Sequence, residues 1–166
     1  MRSVADFYQD CMAVAHALPP LDVQLADAVS CVLAEDVQAP FNFPVADLSA
    51  CDGYAVRIRD CEGATLESPV TLPVTEEIRA GAVDPVALVP GTAIRIASGA
   101  PMPSGAEAVV SLEFTDHGIA QVALRTAPAN GENIRRRAED VAQGDTVLRS
   151  GTRIGARQMA LLAGVG

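Results

Sequence analysis

Between Asp60 and Gly155 glycine and proline recur at short intervals, and this punctuation constrains the fold more than any other feature of the chain. Both residues interrupt helices and weaken strand interiors, so the segments between them have to be short. Five such segments read as β candidates: Val70 to Thr75, Thr92 to Ser98, Ala108 to Phe114, Ile119 to Arg125 and Thr146 to Arg149. Long amphipathic helices are missing here. The spacing predicts an irregular, β-barrel-like unit between about residues 46 and 138, with Asp116-His117-Gly118 as a hairpin turn between two strands.

The two ends read differently. Ser3-Val4-Ala5-Asp6 is a helix start with a capping acid, and Phe7, Cys11, Val14 and Leu18 then recur at helical spacing until Pro19-Pro20 stops the pattern. So short an amphipathic helix needs a partner surface. A helical turn around Leu25 to Ala28 and a strand from Cys31 to Val37 follow, and the rigid Phe41-Asn42-Phe43-Pro44 leads toward Asp52. Beyond the turn region Gly151 to Gly155, residues Ala156 to Ala163 have helix-forming composition with Gly164 as C-cap. The apolar end, Leu162 to Gly166, reads as the run-up to more chain.

Composition excludes several roles. A net charge of −9, from 21 acidic and 12 basic residues, argues against a nucleic-acid partner or an anionic membrane surface. All the basic residues are arginine, so neither a Schiff-base nor a P-loop lysine is available, and any anion must be held by Arg or backbone N–H groups. The cysteines at 11, 31, 51 and 61 form no Cys-x-x-Cys pair and have no histidine at zinc-ligand spacing, so they read as reduced thiols. No signal-peptide core and no apolar run near 18 residues is present, which predicts a cytoplasmic chain.

Candidate chemistry gathers at turns. Asp52-Gly53 is a turn dipeptide, and Tyr54, Val56 and Ile58 alternate with Ala55, Arg57 and Arg59 as in a strand with two unlike faces. Asp52 then sits at a strand mouth, where it either only shapes the turn or meets a ligand. In Ile94 to Pro101 a strand enters a Gly/Pro-rich loop whose Ser98 and N–H groups suit a phosphate, or simply end the strand. In Gly131 to Asp140, Arg135 and Arg137 share a side of an extended backbone and form a candidate oxyanion clamp. Ion pairing with Glu132, Glu139 and Asp140 is the alternative. Asp52 and Asp140 near such a clamp would suit magnesium-assisted phosphate chemistry. His16 and His117 read as surface and turn residues, so a nucleophile triad has no support.

Taken in order, Ser49-Ala50-Cys51-Asp52-Gly53-Tyr54-Ala55-Val56, Ile94-Arg95-Ile96-Ala97-Ser98-Gly99-Ala100-Pro101-Met102-Pro103 and Gly131 to Asp140 resemble the molybdopterin molybdenumtransferases. These are the MoeA-type enzymes, related to the E domain of gephyrin. With Thr75 to Ile78 and Gly144 to Thr152, the resemblance covers nearly the whole chain as an N-terminal region. It implies an α+β, mainly β, elongated fold. A small α/β domain would come from both ends (1–45 plus 139–166), with a β domain inserted at 46–138.

The resemblance also implies an enzyme that transfers molybdate onto adenylylated molybdopterin with Mg2+ and releases AMP. It implies a homodimer, and a downstream MogA-like domain for nucleotide and pterin. The chain alone would then be inactive, and a non-catalytic dimerisation or scaffolding module is the alternative. Carried over by position, Asp52 and Asp140 are the catalytic acids, with Asp52 also in magnesium or molybdate handling. Ser98 and Arg135 bind substrate, joined by Arg137 from the clamp read on the extended backbone. Cys51 stands where Met is frequent, Ser98 where Thr is usual and Ala138 where Gly is typical, and Ala tolerates positive φ poorly.

Overall fold

A computed structural model describes residues 2–16, 18–84 and 86–166. The chain clusters into two compact units, one comprising 1–37, 148–164 and 166, the other 38–147 and 165. The protein is mainly β with two helices.

In the first unit α1 (Val4–Val14) starts as the sequence predicts. The Asp6 N–H donates to Ser3 Oγ (3.1 Å) and the Ser3 N–H to Asp6 Oδ2 (3.2 Å), a closed capping box. The helix stops at Ala15, whose backbone is extended, short of the expected Leu18; Ala17 lies outside the described residues. None of its residues is buried, so propensity alone holds its last turn.

The strand expected over Cys31 to Val37 is not continuous. Val32 makes an isolated bridge to Arg153, and regular pairing resumes only at β1 (Val37–Gln38). Asp36 and Ser150 interrupt the ladder between them, the Ser150 N–H donating to Asp36 Oδ1 (2.7 Å) and Ser150 Oγ to the Ala34 carbonyl (2.9 Å). The last helix, α2 (Ala156–Val165), takes in Gly164, which was expected to cap it.

The second unit is built on a five-stranded sheet. Its strands are β3 (Gly53–Val56), β4 (Val70–Ile78), β5 (Ala93–Ile96), β6 (Ala108–Ser111) and β7 (Gln121–Leu124), in spatial order β6-β3-β5-β4-β7. All neighbours are antiparallel except β4 and β5. The predicted two unlike faces of β3 are in fact both buried, and the strand ends at Val56, with a 3-10 turn over Ile58–Cys61.

The pleat explains the double burial. Tyr54 and Val56 join Val110, Val122 and Leu124 on one side, while Ala55 joins Ile94, Ile96 and Val109 on the other. Likewise Ala108 to Phe114 is a strand only as far as Ser111, and Leu112–Phe114 turns as a 3-10 helix.

Asp116-His117-Gly118 does turn, with His117 at φ 60° and the Gly118 N–H on Asp116 Oδ1 (3.1 Å), but β6 and β7 are opposite edges of the sheet. The turn closes only a local bridge between Thr115 and Leu124. Two further pairs are short: β2 (Leu48–Ser49) with β8 (Ile134–Arg135), and β1 with β9 (Thr146–Leu148).

Candidate active site

Gly53 explains how Asp52 is presented. Its φ is not positive, so the Asp-Gly pair is not a glycine-requiring turn. A Cβ on Gly53 would lie 2.2 Å from the Val110 carbonyl oxygen and 2.9 Å from Val109 Cγ1, so glycine is there for the close approach of β3 and β6. The Asp52 carbonyl accepts from the Leu112 N–H (3.1 Å), which fixes the residue at the end of that contact. Its side chain is exposed, and Oδ1 accepts from the Ser98 N–H at 2.7 Å. Ser98 Oγ in turn donates to the Ala50 carbonyl (3.4 Å). Asp52 and Ser98, distant in sequence, therefore meet.

Residues 48–52 bond to both other motifs. The Ser49 N–H donates to the Ala100 carbonyl (2.9 Å) and the Gly99 N–H to the Ser49 carbonyl (2.8 Å). On the other side Leu48 and Ser49 pair with Arg135 and Ile134, and the Ala50 N–H donates to the Asn133 carbonyl (2.9 Å). Ser49 itself is buried and its Oγ donates to the Cys51 carbonyl (2.6 Å), so no polar group is stranded.

Arg135 is ion-paired with Asp140 and its guanidinium carbon lies 5.9 Å from the centre of the Phe43 ring. Arg136 donates to Asp47 (2.8 Å), and the guanidinium of Arg137 has no ion-pair or hydrogen-bond partner among the described residues. Of the acids set against these arginines in the sequence, Asp140 holds Arg135. Glu132 and Glu139 instead accept from the backbone N–H groups of Ala129 and Arg136, each at 2.7 Å. No direct hydrogen bond joins the Asp52–Ser98 pair to Arg135–Asp140 among the described residues.

Ala138 has φ 62°, the left-handed conformation that glycine takes without strain, so the substitution flagged in the sequence falls where it matters. Glu77 was not singled out as a site residue. It lines one depression of about 200 Å3 with Asp52, Gly53, Arg95, Ile96, Ala97 and Leu112. Glu77 and Arg95 are register partners across β4 and β5, which the sequence hides because a bulge between Val74 and Glu76 shifts the alternation. Among the described residues no group of three or more His, Cys, Asp or Glu side chains is placed to hold a metal ion.

Residues 2–166 match the family described as MoeA N-terminal region (domain I and II). The chain belongs to this MoeA family. Molybdopterin molybdenumtransferase 2 of Mycobacterium tuberculosis is 46% identical over 166 residues, which is 100% of this chain and 41% of that protein. The molybdopterin molybdenumtransferase of Bacillus subtilis is 40% identical over 148 residues, 87% of this chain and 34% of that one. The crystal structure of the molybdopterin biosynthesis MoeA protein from Pyrococcus horikoshii OT3 superposes with a TM-score of 0.82 at 38% identity, covering 87% of this chain and 38% of that one. This MoeA chain thus spans about two fifths of the length of such relatives. The family resemblance carried by the three motifs is correct, and so is the mainly β fold. No helix among the described residues is long and apolar enough to cross a membrane.

Proposed function

We propose that this chain is the N-terminal portion of a cytoplasmic molybdenum insertase, which transfers molybdate onto adenylylated molybdopterin and releases AMP. A MogA-like downstream part would supply the nucleotide and pterin contacts. The observation that carries the reading is the meeting of Asp52 with Ser98 on a segment that also bonds to the Arg135–Asp140 motif. The relatives named above add the reaction class. Asp52 and Asp140 act as its acids, and Ser98, Arg135 and Arg137 bind the anionic substrate.

Magnesium fits this donor set. Asp52 keeps one carboxylate oxygen without a protein donor, Glu77 lines the same depression, and magnesium takes one or two carboxylates together with substrate phosphate oxygens. Bound there it would offset phosphate charge. The chain's own part is to orient: the Ser98 N–H holds the Asp52 carboxylate in one direction.

In the protein joined to its downstream part, Asp52→Ala lowers AMP release and molybdenum incorporation by about 100-fold or more, both measured in single turnovers. Wild-type rates in that variant overturn the catalytic assignment.

A second reading, dimerisation or scaffolding, rests on α1. Phe7 and Tyr8 are each 60% exposed and Val14 77%, an unpartnered apolar surface suited to a second copy in a homodimer. Sedimentation of the chain and of its Phe7→Glu variant tests this. Dimers that F7E dissociates support it, and a wild-type monomer at all concentrations overturns it.

A further inference from the structure

Three consecutive arginines invite the question of which one meets the anion, and Asp47 answers it. Asp47 Oδ1 accepts from the Arg137 backbone N–H (2.7 Å), while Oδ2 accepts from Arg136 Nη1 (2.8 Å). The Asp47 carbonyl accepts from the Met102 N–H (2.9 Å), so the same residue also bonds to the segment that follows Ser98. Arg136 is further held: its N–H donates to Glu139 Oε2 (2.7 Å), and its guanidinium lies over Gly131, 2.8 Å from where a Cβ would stand.

Arg136, although half exposed, is thereby tied within the loop, and Arg135 is already ion-paired with Asp140. Only Arg137 has a guanidinium without a protein partner among the described residues, and its own backbone N–H is gripped by Asp47. A guanidinium offers a planar fork of donors, and its affinity for a tetrahedral oxyanion depends on how well its base is fixed.

We propose that Asp47 is the positioning residue of the arginine loop, which fixes the backbone at Arg137 and retains Arg136 so that Arg137 is the arginine presented to a tetrahedral oxyanion. The inference rests on the proposed function for the identity of that anion as molybdate.

The test is calorimetric titration of molybdate, and separately of inorganic phosphate, into the chain joined to its downstream part. Asp47→Ala weakens anion binding about tenfold, the loss of a charge-assisted hydrogen bond. Asp47→Asn keeps an oxygen acceptor for the Arg137 N–H and stays within about threefold of wild type. Arg137→Met weakens binding by a similar factor, and in that background Asp47→Ala has no further effect beyond about twofold.

Thermal unfolding of each variant checks folding, and Arg137→Met decides if Asp47→Ala does not fold: about a tenfold loss supports the proposal and unchanged affinity overturns it. Unchanged affinity in a folded D47A overturns it, as does an equal further loss in the Arg137→Met background. Should phosphate follow this pattern while molybdate does not bind, the positioning role stands and the molybdenum reading falls. If neither anion saturates the wild type, the positioning role falls.

Discussion

Ala138 is the residue at which sequence and backbone disagree most openly. A left-handed conformation costs a non-glycine residue about 1–2 kcal/mol, part of which glycine gives back through its freer unfolded chain. Ala138→Gly is therefore expected to raise stability by about 1 kcal/mol, read from denaturant midpoints at unchanged slope. A variant no more stable than the wild type would show that the loop relaxes without strain. The same segment shows what the residue pattern could reveal. The resemblance singled out Arg135 and Asp140, and the structure pairs them, which is the ion-pair alternative to the clamp of Arg135 with Arg137. The pattern could not reveal that Asp47, 89 residues before Arg136, completes the loop, because a contact of that span leaves no periodic trace.

At the scale of elements, β3 shows why a short apolar strand defeats simple alternation. Its four residues are buried on both faces, so polar and apolar positions carry no directional signal, and Arg57 and Arg59 lie beyond the strand, Arg59 in the 3-10 turn. The punctuation by glycine and proline did locate β4 to β7 of the five-stranded sheet, since each break is local, but not the two-residue strands β2 and β8. It could not order them, because strand neighbours are chosen by packing. Gly53→Ala forces a Cβ onto the Val110 carbonyl and is expected to destabilise by about 3 kcal/mol, with loss of the Asp52 geometry as well. Ile94→Ala, one strand away on the same face of the sheet, opens a cavity at a fully buried position and costs about 2–5 kcal/mol while leaving anion binding in place. Urea unfolding together with anion titration separates the two outcomes. Equal loss of binding in both variants would mean that the sheet as a whole, and not the β3–β6 approach, sets the site.

For the molecule as a whole, carboxylates link stability to acid: Asp6, bonded to Ser3 in the capping box, is held below its ordinary value, and so are Asp47 and Asp116. Backbone N–H donation from Arg137 to Asp47, and from Ala123 to Asp116, holds each carboxyl below its ordinary 3.8. A carboxyl with a lowered folded-state pKa contributes stability that is present above the unfolded value and is lost as pH falls through the folded one. Stability should therefore be level near neutrality and decline below about pH 4, with a shallower decline in Asp116→Asn. At the alkaline end, burial pushes the Cys61 thiol up from 9.0 to about 11 and also raises Cys51 and Tyr54, so stability should fall as pH rises across that interval, and Cys61→Ala should make the fall shallower. Denaturant midpoints across pH test both limits, and an acid decline identical in Asp116→Asn and wild type would clear that residue of any part in it.

The hydrogen bonds made by residues 48–52 have a consequence for anyone wishing to exchange parts between family members. Their bonding partners lie at 98–100, 112 and 133–135, so the Asp52 segment is fitted to the backbone of both other motifs. A chimera that imports only the Asp52 segment would inherit one half of every one of these matings. Exchange should succeed only when all three segments travel together, which makes the site a single heritable block even though its sequence is written in three places.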